Sequence, residues 1–414
     1  HAVNHQPDQC VLYRLLRRVG YGVGWAFGLA TLFIVWPGSV LYEHWLFYTW
    51  PVAGLLVVAA MALVRYEDTG SLRDAAVFLV ALVAVCWIRS AFHLVYLMAA
   101  VTLLLIIPRS SSRRPILAMS AAAVALVALI FVKNLVLFGS FASSSWMGMS
   151  LWRIAGQGHP DVAALVADGT LPAIAAIDAF SPVGDYPERY REIPPRFADV
   201  EALTVEKKTV GRTVGRGFDN LNHVAYLDLS ADYRQAASTM IRHDPVGFLG
   251  RVALAWGTYS KPSWEYDFVA HNRPALRGWI DAVTLASPRF AIERQVTGRE
   301  PPFVFPLSSL LVIPAAFVVV MLAAIGRTRR VAAGTWRRGD AFLLFAATTI
   351  AYVGLVGNTF ELGENHRFRV VTDPLLFVAT LAVVRSWIVA YSTTRDQPDI
   401  ERSSKLSEKT TEPP

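Results

Sequence analysis

The chain has 414 residues, 54% of them hydrophobic and only 17% charged, with a mean hydropathy of +0.39. That composition is too apolar for an ordinary soluble enzyme and marks a membrane protein. The net charge of +7 does not point to nucleic acid, because the arginines cluster in short loops between apolar runs, where they act as topology signals.

In chain order, residues 1 to 19 read as a cytoplasmic leader containing Cys10. Arg14, Arg17 and Arg18 then precede the first apolar run, 20 to 37, and the positive-inside rule puts them in the cytoplasm. At about 17 to 25 residues per span, further runs fall at 46 to 64, 74 to 88, 91 to 107, 115 to 138, 303 to 325, 341 to 358 and 374 to 390. The run 74 to 107 is too long for one span and carries Arg89 and His93 at its middle, so it reads as two short helices with a tight outer turn. Cys86 lies inside it, and two cysteines so placed offer neither a disulfide framework nor a metal site.

Residues 139 to 302 have the Pro, Gly and charge density of a soluble domain. Leu229–His243 and Pro245–Tyr259 read as helices, with Asp244 placed to cap the second and Pro245 at its first turn. The repeated Thr-Val-Gly-Arg of 209 to 216 lacks the Lys-Ser/Thr of a phosphate loop and reads as a flexible turn. Residues 391 to 414 are polar and aperiodic, which predicts a disordered cytoplasmic tail. The expected fold class is an all-α polytopic membrane protein of about eight transmembrane helices, with a large, mainly α extracytoplasmic domain between helices five and six.

Charge supports this map. Alternate connections carry Arg65 and Arg73, then Arg109, Arg113 and Arg114, then Arg327 to Arg338, while Gly38 to Trp45 carries no Lys or Arg. Both termini fall in the cytoplasm, and Glu43, Arg89, His93, the 139 to 302 domain and the stretch 358 to 374 fall outside. That last stretch holds Glu361, Glu364, His366, Arg367, Arg369 and Asp373 in a short gap between apolar runs. A solvated loop of mixed charge is the plain reading, but charges beside hydrocarbon are costly unless paired or facing a watery cavity. The guanidiniums of Arg367 and Arg369 suit an anionic ligand.

No His-Glu-x-x-His, Gly-x-Ser-x-Gly or nucleotide-binding glycine loop is present. What remains is a set of outer-face acids and cations: Glu43, Arg89, His93, Lys133 and the 358 to 374 stretch. Each has an ordinary alternative: a snorkelling side chain for Arg89 and Lys133, an interfacial pair for Glu43 with His44, a satisfied ring for His93. Their convergence on one face is the reason to join them. Trp146, Trp256 and Trp264 offer stacking faces to a sugar, with packing the alternative for each.

Leu-Tyr-Glu-His-Trp-Leu-Phe-Tyr after Pro37, Ile-Arg-Ser-Ala-Phe-His between two short helices, and Gly-Glu-Asn-His-Arg-Phe-Arg-Val-Val-Thr-Asp-Pro before the last helix resemble the polytopic GT-C type glycosyltransferases. Protein mannosyltransferases and aminoarabinose transferases are examples. The resemblance implies transfer of a sugar from a polyprenyl-phosphate donor to an envelope glycan, lipid or protein on the outer face of the cytoplasmic membrane. It assigns Arg89, His93, Arg367 and Arg369 to the lipid phosphate, and Glu43 and Glu364 to the catalytic acids. Such enzymes have roughly a dozen helices and an acidic first outer loop. Here that loop offers Glu43 alone, so helices carrying the base are expected upstream of His1, leaving a glycine stripe, Gly20, Gly22, Gly24 and Gly28, without a partner. The inserted domain is a second departure, since many relatives place theirs at the C-terminus. No metal motif is present, and a divalent cation stays open as cofactor. A polysaccharide ligase or polymerase, faintly suggested by His271-Asn272, and a transporter are the alternatives.

Overall fold

The computed structural model describes residues 7–45, 47–108, 113–209, 217–285, 289–292 and 303–409. Seven helices come first: α1 Pro7–Arg18, α2 Val23–Val35, α3 Pro37–Glu43, α4 Thr49–Thr69, α5 Leu72–Ile88, α6 Leu94–Ile106 and α7 Arg113–Phe138. An inserted region follows, with α8 Met147–Ala155, α9 Val162–Ala167, α10 Glu201–Thr204, α11 Tyr226–His243, α12 Pro245–Ser260 and α13 Arg277–Leu285. The chain closes with α14 Leu307–Ala332, α15 Asp340–Phe360, α16 Asn365–Val370 and α17 Asp373–Lys409. Two antiparallel ribbons, β1 Lys207–Thr209 with β2 Gly217–Asp219 and β3 Arg289–Ile292 with β4 Phe303–Pro306, are small departures from an all-helical chain.

Each expected apolar run is helical over most of its length, the run 303 to 325 opening with β4 before α14 begins at Leu307, but not every helix has the length of a membrane crossing. Thr49–Thr69, Arg113–Phe138, Leu311–Ala332, Asp340–Phe360 and Asp373–Ser392 are long and apolar enough, and α2 with α3 adds a sixth if that pair, bent by 62°, is one span. The bend falls at Trp36–Pro37, where proline denies the helix a donor and forces Trp36 into an extended conformation, φ −58 and ψ 137. With 17 and 13 residues, α5 and α6 reach roughly 26 and 20 Å, short of the hydrocarbon core at about 30 Å. The expected count of eight crossings therefore becomes five or six by length and composition among the described residues. The tail also differs from expectation, since α17 runs on to Lys409. A helix already nucleated by the apolar run extends at one hydrogen bond per added residue, without the cost of a new nucleus.

Three apolar clusters hold the chain together. The largest joins the long helices around Leu56, Phe78, Tyr96, Phe345 and Leu375. A second fills the inserted region, where Tyr226, Leu229, Tyr233, Ala236, Ala237 and Met240 bury one face of α11 at helical spacing. There α8 comes so close that a Cβ on Gly148 would collide with the Ser230 carbonyl oxygen. Asp244 caps α12 as expected, accepting from Gly247 N at 2.8 Å, with Pro245 in the first turn. The third cluster, Leu41, Tyr42, Trp264, Tyr266, Val269 and Val370, joins α3, the inserted region and α16.

Three of the segments expected to share one side of the membrane, those carrying Arg18, Arg65 to Asp74 and Arg327 to Asp340, meet at one end of the bundle. Glu67 of α4 is buried and accepts from Trp336 Nε1 at 2.9 Å, Gly339 N at 2.8 Å and Ala341 N at 3.2 Å, so it caps the otherwise unpaired donors of α15. Asp340 takes Arg330 at 2.9 Å and Arg327 at 3.5 Å, Asp68 pairs with Arg18 and, at 2.7 Å, with Arg338, and Asp74 holds Arg65 at 3.1 Å. A cavity of about 530 Å³ opens among Arg18, Glu67, Asp68, Trp336 and Arg338. Its charges largely answer one another. The 21 residues of α15 put its opposite end roughly 31 Å away, and the chemically unusual cluster lies there.

Candidate functional site

At that opposite end the chain turns from α15 into α16 around Asn365, which is fully buried. Its Nδ2 lies 2.9 Å from Asn358 Oδ1, 2.9 Å from Glu361 O and 3.2 Å from Gly357 O, while its Oδ1 accepts from Gly363 N at 3.0 Å. Gly363 has φ +111, a conformation that glycine adopts at little cost, and a Cβ on Gly357 would press on the Phe368 ring at 2.8 Å. This turn fixes where Glu364, His366, Arg367 and Arg369 point.

Arg367 is enclosed by rings. Its guanidinium carbon lies 5.4 Å from the centroids of Phe47, Tyr266 and Phe368 and 5.8 Å from Tyr48. Arg89, the buried C-cap of α5, shares two of these faces, at 4.7 Å from Phe368 and 5.4 Å from Tyr48. Such contacts are worth about 2 kcal/mol each when desolvated, which helps hold two like charges in one cage. Glu364 pairs with Arg367, also hydrogen-bonds Tyr266, and is the carboxylate that Arg89 feels. Burial, then the neighbouring Arg367 cation, pull the Arg89 pKa down to about 10, which leaves it charged at neutral pH. For Arg367 burial lowers the pKa, but Glu364 and the Tyr48, Tyr266 and Tyr42 hydroxyls outweigh it and raise the value.

Arg89 Nη1, Arg367 Nε and both ring nitrogens of His366 are buried with no hydrogen-bond partner. Leaving a buried polar group unpaired costs about 1–3 kcal/mol, so four such atoms in one neighbourhood favour an incoming polar group. Burial, reinforced by the Lys261, Arg369, Arg367 and Arg273 cations, pushes the His366 pKa down to about 3. The ring is therefore neutral, with one nitrogen able to donate and the other to accept.

The expected site residues separate into groups. Arg89, Arg367 and Glu364 come together as described. Arg369 does not present a free fork: its Nε binds Asp373 at 2.9 Å and its Nη1 donates to Tyr259 O at 2.6 Å and Lys261 O at 2.9 Å. It caps the last carbonyls of α12 and ties the inserted region to α16. His93 caps α6, accepting from Val95 N at 3.4 Å, and its ring packs edge-on against Tyr352 at 5.7 Å. Glu43 closes α3, half-buried, and its neighbour Tyr42 lies close enough to Arg367 and Arg369 to feel both charges. Lys133 is exposed on α7. Trp146 packs edge-on against Phe180, Trp256 edge-on against Tyr259 and Phe317, and Trp264 at a tilt against Trp36, so all three take packing roles.

Sequence reading missed Glu265, one residue before Tyr266, whose ring touches both Arg367 and His366 at 5.4 Å. Burial pushes the Glu265 carboxyl up to about 7, against the pull of Lys261 and Arg273. The run Lys-Pro-Ser-Trp-Glu-Tyr-Asp at the end of a helix was the available signal. Glu361 was named only within its stretch; it pairs with Arg153 at 3.0 Å, joining α8 to the end of α15, and burial raises its pKa. Among the described residues no group of three or more His, Cys, Asp or Glu side chains is arranged to hold a metal ion. Comparison with protein families, curated proteins and solved structures finds no match.

Proposed function

We propose that the chain is a membrane glycosyltransferase that moves a sugar from a polyprenyl-phosphate donor to an acceptor at the end of the bundle where α16 lies, taken as the outer face of the cytoplasmic membrane. The observation that carries this reading is the pair of buried guanidiniums, Arg89 and Arg367, each with an unpartnered nitrogen in a shared aromatic cage. Breaking the bond between the sugar and the phosphate leaves the lipid phosphate with added negative charge. Two fixed cations there stabilise that charge more than the ground state, which is what lowers a barrier. The rings that hold the cations also offer apolar surface to the first isoprene units. Glu265 is the base in this reading, since a carboxyl near pH 7 accepts a hydroxyl proton more readily than an ordinary glutamate. Glu364 and neutral His366 contact or orient the sugar. Arg369 and His93 position elements.

The test is turnover of a polyprenyl-phosphate sugar, radiolabelled in the sugar, in membranes containing the protein. Arg89→Gln and Arg367→Gln should each lower release of polyprenyl phosphate by about 10²–10³-fold, the usual loss for one charge-stabilising group. Wild-type turnover in both variants, at matched expression, would remove the basis of the reading.

A further inference from the structure

A second basic site lies at the other end of the bundle, and nothing in the transferase reading uses it. A cavity of about 350 Å³ is lined by Arg14, Arg17, Arg18, Arg65 and Met61. Helix α1 supplies three of these arginines from its exposed face, while Leu12, Leu15 and Leu16 on its other face are buried in the bundle core. The helix is thus fixed on the bundle by its leucines and presents its arginines beside the last turns of α4, a candidate span. Two of the four arginines are paired, Arg18 with Asp68 and Arg65 with Asp74. Asp68 is shared with Arg338, and Arg17 Nη1 donates to the Tyr21 carbonyl at 2.8 Å, with no ion pair to an acid among the described residues. The cavity wall is therefore net positive, with an apolar thioether toward the span.

We propose that this cavity binds the phosphate headgroup of an anionic phospholipid. Topology alone asks only for positive charge near a helix end. It does not ask four arginines to converge on one cavity with a methionine, at the depth where headgroups meet the ends of spans. A phosphodiester would accept from Arg14 and Arg17, with Arg18 and Arg65 closing the sides, and its acyl chains would run past Met61 along α4.

The experiment measures lipid retention by native mass spectrometry of the intact chain, taken from nanodiscs of phosphatidylcholine containing a minor fraction of phosphatidylglycerol. Wild type should retain phosphatidylglycerol in preference to phosphatidylcholine. Arg14→Gln with Arg17→Gln should reduce that preference roughly tenfold or more, given the worth of each basic side chain near an anionic surface. Arg14→Gln alone should give a smaller loss in the same direction. Arg73→Gln, an exposed arginine outside the cavity, should leave the preference unchanged. Equal losses in the Arg73 variant would show diffuse attraction and overturn the proposal. So would displacement of the lipid by glycerol phosphate as effectively as by phosphatidylglycerol, which would assign the cavity to a soluble phosphate.

Discussion

Glu265 and His366 both feel the Lys261 and Arg273 cations but have opposite protonation logic, and pH separates them. Burial raises the Glu265 pKa to about 7, so turnover should climb as pH rises through neutrality, and Glu265→Gln should leave a low, flat profile. A variant that keeps the full rise would assign the base elsewhere. His366 is held neutral down to about pH 3, whereas an unfolded histidine protonates below about 6.5. Its contribution to stability is therefore intact above pH 6.5 and is lost as pH falls. Glu265 runs the other way, binding more protons folded than unfolded, so its contribution falls as pH rises from about 4.5 to 7. The windows overlap, and only differences between wild type and variant are informative. Between pH 6.5 and 5, His366→Leu should lose less stability than wild type, by up to about 1.4 kcal/mol per pH unit, read from thermal unfolding; parallel curves would contradict a buried neutral ring. Arg89 and Arg367 were legible in the sequence because charge stands out among apolar runs. Glu265 was not, because it sits in a polar stretch where carboxylates are common and only the tertiary contact of Tyr266 distinguishes it.

Among the elements, α16 is the hinge piece, and Arg369 is what fastens it. Local spacing suggested that Arg367 and Arg369 act alike, since they lie two apart. In the helix they point to different partners, and the carbonyls of Tyr259 and Lys261 that claim Arg369 come from more than a hundred residues away. Removing a buried, fully engaged charge partner costs about 3–5 kcal/mol. Arg369→Ala should therefore lower the melting temperature markedly and free Asp373. Arg369→Lys should recover part of the loss, since an ammonium can reach Asp373 or the carbonyls but not fork across them. Unchanged stability in Arg369→Ala, with lowered affinity for lipid phosphate, would return Arg369 to the binding site. The capping of α12 was readable because Asp244-Pro245 is a local signal, whereas the capping of α15 by Glu67 reaches across hundreds of residues of chain.

For the whole molecule, hydropathy located every long helix, and charge grouped the connections that Asp68, Asp74 and Asp340 now join at one end. The turn between α5 and α6 was legible too, because Arg89 and His93 interrupt the run 74 to 107 and cap the two helices; the continuation of α17 to Lys409 was not, because its last turns carry no apolar periodicity. Orientation is a separate expectation from the excess of arginine at the ionic end. Gly184 is exposed in the inserted region. In a chain with Cys10 and Cys86 replaced by alanine, Gly184→Cys should react with an impermeant thiol reagent in intact cells. Labelling only after lysis would reverse the map and put the aromatic cage in the cytoplasm.

The most direct measurement is the affinity of the purified, lipid-embedded protein for a polyprenyl monophosphate compared with the corresponding polyprenol. Phosphate should be preferred strongly in wild type, and Arg367→Gln should lose about 1.5–3 kcal/mol of that preference, the worth of a hydrogen bond to a charged group, or roughly 10–150-fold in dissociation constant. Arg73→Gln should lose none of it. Equal affinity of wild type for phosphate and alcohol would contradict the anion site, and with it the transferase reading.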